Sequence, residues 1–457
     1  FIWQEEGPDT YGLLIGSYLD NVMWNIRYVK FQGDVNEKTE EYSVLINPDG
    51  SLNQIRHKIP ENQEGASLKE KSARNIAINY IQNRFDLSLN DISDVSAEIS
   101  NLPNRDDWTF IFSDNKTQNL KDGDLRIKIS ISGDKVTSFN RYIYLPEEWE
   151  REEKNNATFA SMIRTVCYFS LVFFILYAAA SSIARWSKGK FNLKIFKYAF
   201  SGLSVLAILN TVNNYPAMIS GFSSAKPFIN QIIMSLGGSL LFGLIFAFMI
   251  SSILGNSSVK IKKSVHIFSY LEILLISIWG ICLITFSYSL KQATPLWISG
   301  AEGANVYFPL LGYILSNISS YFDKFIILIF ILTWLNDITD FTRKKKILTF
   351  FLPLIFICLV VGTDFSSSGG PHNMFRWFYI TMFYGGTLAA VYLAYVVYDM
   401  TIVPLLVAML TASEILTFSN TGAYPGMLAS NVLSAVLIIA IGYWFRLYLL
   451  NKGNIFN

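Results

Sequence analysis

The chain has 457 residues, 51% of them apolar and only 16% charged. A wholly soluble chain of this length would carry about 25% charge, so that class is excluded. Its 37 basic residues nearly balance 35 acidic ones, for a net charge of +2. That leaves no electrostatic footprint for nucleic acid.

The charge deficit is local. Residues 1–155 have the composition of a soluble domain, and almost everything after residue 158 is apolar. The expected fold class is a polytopic α-helical membrane protein with an N-terminal α+β extracytoplasmic domain, divided as 1–155 and 156–457. Phe1-Ile2-Trp3 ahead of Gln4-Glu5-Glu6 reads as the end of an apolar segment, so one further helix before Phe1 is expected.

In the first domain, Trp24–Lys30 and Tyr42–Ile46 alternate as strands, Asn47-Pro48-Asp49-Gly50 supplies a turn, and 52–57 returns as a third strand. Ser67 and Glu70 have capping-box spacing. Ala73, Ile76, Ala77, Tyr80 and Ile81 give the apolar face of the helix that follows. Trp108–Phe112, Leu125–Ile131 and Lys135–Ile143 read as further strands, the last two turning at Ser132-Gly133-Asp134. His57 is expected as an exposed strand residue.

Nine apolar windows follow, at roughly 159–182, 195–213, 229–252, 266–288, 318–337, 346–363, 376–397, 402–419 and 429–449. Most approach the length a helix needs to cross about 30 Å of hydrocarbon. The 402–419 run is short and holds Glu414, so a buried or re-entrant segment competes with a span. Residues 305–317 either belong to a loop or extend the fifth helix. Arg185, Lys188, Lys190, Lys194 and Lys197, then Lys260, Lys262 and Lys263, then Arg343–Lys346, and finally Arg446 and Lys452 fall on one side of a nine-span chain. The positive-inside rule makes that side cytoplasmic and puts the first domain outside. Cys167, Cys282 and Cys358 lie in apolar runs and read as small membrane hydrophobes.

Polar residues within spans are the candidate site residues, because lipid burial is costly for them unless they are paired. Glu272 lies one to two turns beyond His266, and Glu414 lies near Ser413 and Thr417. These two glutamates and His266 are the candidate catalytic residues. Asn210, Asn213, Asn214 and Asn431 are candidates for lining a polar cavity or binding site. Interhelical hydrogen bonding is the competing structural reading for all of them. Asp323-Lys324 reads as an interfacial pair near the outer start of the fifth span. Gly202, Gly237, Gly238, Gly243, Gly385 and Gly386 are candidate close-packing positions. His266 and His372 begin on opposite sides of the membrane, so no metal site is expected, and no cofactor.

The strand–turn–strand–helix order resembles PepSY-like modules of bacterial envelope proteins. Arg105-Asp106-Asp107-Trp108, Gly133-Asp134-Lys135-Val136 and Pro146-Glu147-Glu148-Trp149-Glu150-Arg151 resemble an extension found on bacterial membrane proteins of the CAAX-protease and bacteriocin-processing family. Active members of that family use Glu-Glu-x-x-x-Arg with histidines from later helices. This chain has no Glu-Glu pair after residue 158, so the resemblance implies a relative in the bacterial inner membrane that is either degenerate or has its catalytic portion outside these residues. The expected function is that of an accessory or scaffold protein with membrane or envelope partners. The alternatives are a transporter or channel subunit, and an endopeptidase with an unrecognised site.

Overall fold

A computed structural model describes residues 1–31, 40–260, 267–290, 302–341, 391–396, 398–417 and 426–452, with backbone alone at 260, 283–290, 302, 335–341, 392–393 and 452. The chain divides into two units. One comprises Phe1–Glu152 with Met218–Ser235, and the other Glu153–Ala217 with Leu236–Asn457.

In the first unit, alternating side chains build a three-stranded antiparallel meander of β1 (Trp24–Val29), β2 (Glu41–Ile46) and β3 (Leu52–Lys58). Its second turn needs the sequence it has. Gly50 sits at φ 84°, its N–H donates to the Asn47 carbonyl at 2.9 Å, and Asp49 accepts from the Ser51 N–H at 2.9 Å. One sheet face is polar: Arg27 pairs with Glu41 at 2.8 Å, while Leu45 and Gln54 are buried.

That polar face holds the segment Met218–Ser235. The Arg27 guanidinium donates to the carbonyls of Ser220 (3.1 Å) and Phe222 (2.7 Å), and the Ser224 hydroxyl donates to Glu41 at 2.5 Å. The Phe31 and Phe228 rings lie 4.8 Å apart. Burial acts to raise the Glu41 carboxyl, but the bonds from Ser224 and Arg27 outweigh it and hold it below its ordinary value. A depressed folded-state value contributes stability above the unfolded value and loses it as pH falls through the folded one. Hydrogen exchange of residues 220–224, corrected for intrinsic rates, is therefore expected to accelerate as pH drops below the ordinary glutamate value of 4.5. Glu41→Gln is expected to abolish that transition, and a transition that survives the substitution would refute the assignment.

A four-stranded up-and-down sheet follows: β4 (Ile92–Leu102), β5 (Arg105–Asp114), β6 (Asp124–Ser132) and β7 (Lys135–Tyr144). Phe110, Phe112, Ile127, Ile129 and Ile131 alternate onto its buried face. Helix α2 (Glu70–Phe85) covers that face with Ala73, Ala77 and Ile81, one position per turn. Ser67 does not cap this helix. Its N-cap is Lys69, without a side-chain bond, because Trp108 holds the Leu68 carbonyl at 2.9 Å and keeps the chain extended one residue further. A capping box forms instead at Ser88 and Asp91. The start of the chain packs as a small cluster of its own: α1 (Pro8–Leu14) and the turn before it bury Ile2, Leu14 and Tyr18 against Leu125.

The second unit is helical. The helices that make it up, wholly or in part, are α3 (Glu147–Ser187), α4 (Leu193–Asn213), the short α5 (Tyr215–Ser220), α6 (Phe228–Lys260), α7 (Tyr270–Leu290), α8 (Pro309–Phe341), α9 (Val403–Thr417) and α10 (Met427–Lys452), with residues 147–152 of α3, 218–220 of α5 and 228–235 of α6 belonging to the first unit. Six described helices are long and apolar enough to cross a membrane. The chain therefore has an N-terminal α+β region followed by the helices of a polytopic membrane protein. The expected span 346–363 and nearly all of 376–397 lie outside the described residues, as do His266, His372, Arg343–Lys346, Gly385, Gly386 and Cys358.

Among the described membrane-length helices, α9 is the most enclosed. With the turn before it, 61% of its apolar window is buried, against 6% for α6. Tyr321, Phe325 and Ile329 of α8, Val403 and Ala408 of α9, and Ile438 of α10 form a fully buried core. Of the described glycines singled out by sequence, Gly243 makes a close approach, and a tighter one occurs at Gly442. A Cβ on Gly442 would lie 2.6 Å from the Ala408 methyl and 2.8 Å from the Pro404 carbonyl, whereas Gly202, Gly237 and Gly238 have nothing within 4 Å. Gly243 would meet only the Ala207 methyl, at 3.0 Å.

Candidate functional site

Polar side chains on apolar helices must find partners within the protein, so their contacts show what each is used for. Near the end of α4, Asn210 donates to the Ser319 hydroxyl of α8 at 3.3 Å. Asn213 is buried and bonds both backbone groups of Phe308, accepting from its N–H at 2.9 Å and donating to its carbonyl at 3.3 Å. The Asn214 N–H closes the helix on the Asn210 carbonyl at 2.9 Å. On α10, buried Asn431 accepts from Asn317 of α8 at 3.4 Å, and neighbouring Ser430 donates to the Leu310 carbonyl at 2.7 Å. Four of the sequence candidates thus lie at α4–α8 and α8–α10 joints or at a helix end.

The two glutamates have separate partners. Glu414 of α9 pairs with Lys324 of α8 at 2.5 Å. Because α8 begins at Pro309, nine residues before the expected start, Asp323 and Lys324 lie near its middle instead of at an edge. Proline at the first helical position suits that early start. Glu272 turns back on its own helix end, accepting from the Ser269 N–H at 2.7 Å and its hydroxyl at 2.9 Å, while that hydroxyl accepts from the Glu272 N–H at 3.3 Å. This is a reciprocal N-terminal cap of α7. His266 lies outside the described residues.

The same stretch of backbone gathers two charged residues that sequence patterning does not single out. Arg446 of α10, 1% exposed, donates to the Phe268 carbonyl at 2.5 Å, the other side of the peptide group whose N–H meets Glu272. The Phe268 N–H, one peptide earlier, faces the carboxylate of buried Asp399 at 3.4 Å. Asp399 also accepts from the Thr401 N–H at 3.0 Å and its hydroxyl at 2.6 Å. The Tyr270 ring covers the guanidinium at 4.6 Å. Two successive peptide groups thus mediate between a cation and two carboxylates drawn from three elements, which fixes the start of α7 against α10. Among the described residues, the Nε and one Nη of Arg446 are buried without a hydrogen-bond partner.

A further polar group lies in the last turns of α6, where Ile250–Ser258 is buried on every side. Ser257 meets Thr333 of α8 at 3.4 Å, and the Gly255 carbonyl accepts from the Asn192 N–H at 3.1 Å. The Asn256 amide and the Ser251 hydroxyl are buried without partners among the described residues. The run Ser251-Ser252-Ile253-Leu254-Gly255-Asn256-Ser257-Ser258 is visible in the sequence. Its signal is polar residues recurring on all faces of an apolar helix, which requires protein on all sides.

In the first unit, His57 stacks on Tyr42 at 4.0 Å and bonds Glu40 at 2.8 Å. The Arg105 guanidinium, 3% exposed, binds Asp107 (2.8 Å) and the carbonyls of Pro60 (2.5 Å) and Gln63 (2.9 Å). It pins the loop between β3 and α2. No group of three or more potential metal ligands occurs among the described residues. Comparison of the chain with protein-family models, with curated proteins and with solved structures finds no match in any of the three.

Proposed function

We propose that the chain is a membrane-embedded scaffold or accessory protein of the bacterial inner membrane, its N-terminal domain outside the cytoplasm and its membrane domain of nine spans. On this reading it is a degenerate relative of intramembrane proteases, with membrane or envelope proteins as partners. The observation that carries it is the use of the intramembrane glutamates: Glu414 fastens α9 to α8 through Lys324, and Glu272 caps α7. General-base work would need at least one carboxylate placed to take a proton from water at a reacting centre.

The test is peptide cleavage by the purified chain in liposomes against an unbiased peptide library. The scaffold reading expects the wild type and Glu414→Gln to be equally inactive. Hydrolysis by the wild type that Glu272→Gln or Glu414→Gln removes would overturn it. A transporter or channel subunit is the second reading, favoured by the buried polar atoms of Asn256 and Ser251. Solute or ion flux through the same liposomes, lost in Asn256→Leu, would select it.

A further inference from the structure

The two faces of the β1–β2–β3 sheet differ in chemistry. Register places Trp24, Ile46 and Leu52 in one cross-strand row, Ile26, Val44 and Ile55 in the next, and Tyr28, Tyr42 and His57 in the third. All nine share one face, because side chains alternate along a strand and the register shift between Leu45 and Ile46 sets Leu52 opposite Ile46. Six of them are exposed: Trp24 50%, Ile26 41%, Tyr28 60%, Tyr42 37%, Leu52 55% and Ile55 52%. The opposite face carries Arg27, Glu41, Leu45 and Gln54 and is already occupied, by the 220–224 segment and by β7 through Gln54 and the Phe139 carbonyl.

We propose that the apolar face is a homodimerisation surface that pairs with the same face of a second copy. Area supports this occupant. With aromatic side chains worth roughly 150–250 Å² each, the exposed groups present on the order of 600 Å². Two such faces bury about 1,200 Å² together, which reaches the lower end of specific interfaces. Chemistry supports it too. The three strand rows themselves carry no carboxylate, lysine or arginine, and the one carboxylate bonded to them, Glu40, lies at the Tyr42–His57 end, where it is already engaged by the Tyr42 hydroxyl and the His57 ring, each at 2.8 Å. Its aliphatic row lies between two aromatic-containing rows. A two-fold axis along the Ile26–Val44–Ile55 row packs that row on itself and sets Trp24 of each copy over the partner's Tyr28 and Tyr42 positions, in a face-to-face sheet stack about 10 Å thick.

This goes beyond the scaffold reading and is measured separately, since dimerisation is read on the purified chain and cleavage is not involved. The full chain in lipid nanodiscs is weighed by native mass spectrometry and treated with a short thiol cross-linker, with the wild type as the background for its own cysteines. The wild type is expected as a dimer. Ile26→Cys is expected to cross-link to itself, and Trp24→Cys to cross-link when mixed with Tyr28→Cys, whereas Asn25→Cys, on the other face, does not. Ile26→Asp combined with Ile55→Asp is expected to weaken the dimer at least about tenfold, at unchanged melting temperature because both sites are exposed. A monomeric wild type would overturn the proposal. So would a dimer indifferent to the double aspartate variant, or Asn25→Cys cross-linking as well as Ile26→Cys. Protection of the face by lipid or by another protein in a monomeric chain would count against it equally.

Discussion

Gly442→Val is expected to be among the most damaging single substitutions in the helical unit. The α9–α10 contact is set by the absence of a side chain at this position. A Cβ there meets the Ala408 methyl at 2.6 Å and the Pro404 carbonyl at 2.8 Å, and the second of these is backbone that no rotamer change can move. Both helices lie in the core, with Ala408 and Ile438 fully buried, so relief requires the helices to separate and lose dispersion contacts along their length. Overpacking of this kind costs about 3 kcal/mol, the upper end of the usual range. Gly442→Ala is expected to cost less and Gly202→Ala nothing, since alanine is the better helix former and Gly202 has open space around it. Thermal unfolding of the three variants in the same detergent checks the order. Equal effects at 442 and 202 would contradict the close approach.

Arg105→Ala is expected to have the largest effect in the N-terminal unit. The side chain is 3% exposed, and its donors are spent on Asp107 and on the carbonyls of Ile59, Pro60 and Gln63. Removing it strands several acceptors together and leaves the Asp107 carboxylate without its cation. Breaking such a buried constellation costs about 3 kcal/mol. Gly65 lies against the arginine stem, where a Cβ would come within 3.0 Å of the Arg105 Cδ, so packing is lost as well. Arg105→Lys is expected to rescue little, because one ammonium cannot reproduce the planar fork. Hydrogen exchange of residues 59–65 is the readout. Rapid exchange in Arg105→Ala and Arg105→Lys alike is the expected result, and full protection in the lysine variant would contradict it.

Local pattern makes some of this fold legible in the sequence and hides the rest. The meander is readable because Trp24–Lys30 and Tyr42–Ile46 alternate and Asn47–Gly50 spells its turn. Strand β4 is not, because it pairs only with β5, and its Asp-Val-Ser-Ala-Glu-Ile run leaves most side chains exposed. The capping box at Ser67 fails for a tertiary reason, since a tryptophan forty residues away holds the Leu68 carbonyl. In the membrane unit, Glu414 stands out as a charge on an apolar run. Its partner Lys324 lies ninety positions off, and with 305–317 left open between loop and helix the sequence does not place that lysine in mid-helix. Arg446 reads as a loop-side positive charge, because position along a helix does not reveal that the linker before α7 folds over it. Gly442 has no local signature that sets it above Gly202 or Gly237, since a close approach depends on the neighbour and not on the glycine. Composition and periodicity carry the architecture, and pairing across elements carries everything about the polar residues.

The claim that the intramembrane carboxylates act as helix fasteners is tested most directly by a double-mutant cycle on Lys324→Met and Glu414→Leu, read as thermal stability in a bilayer. Each single variant leaves a lone charge on an apolar helix, so each is expected to destabilise. The double variant is expected to recover most of the loss, with a coupling of about 1 kcal/mol or more. Additive effects, or a Glu414→Leu chain as stable as the wild type, would contradict the fastening role and make Glu414 once more a residue held in place for chemistry.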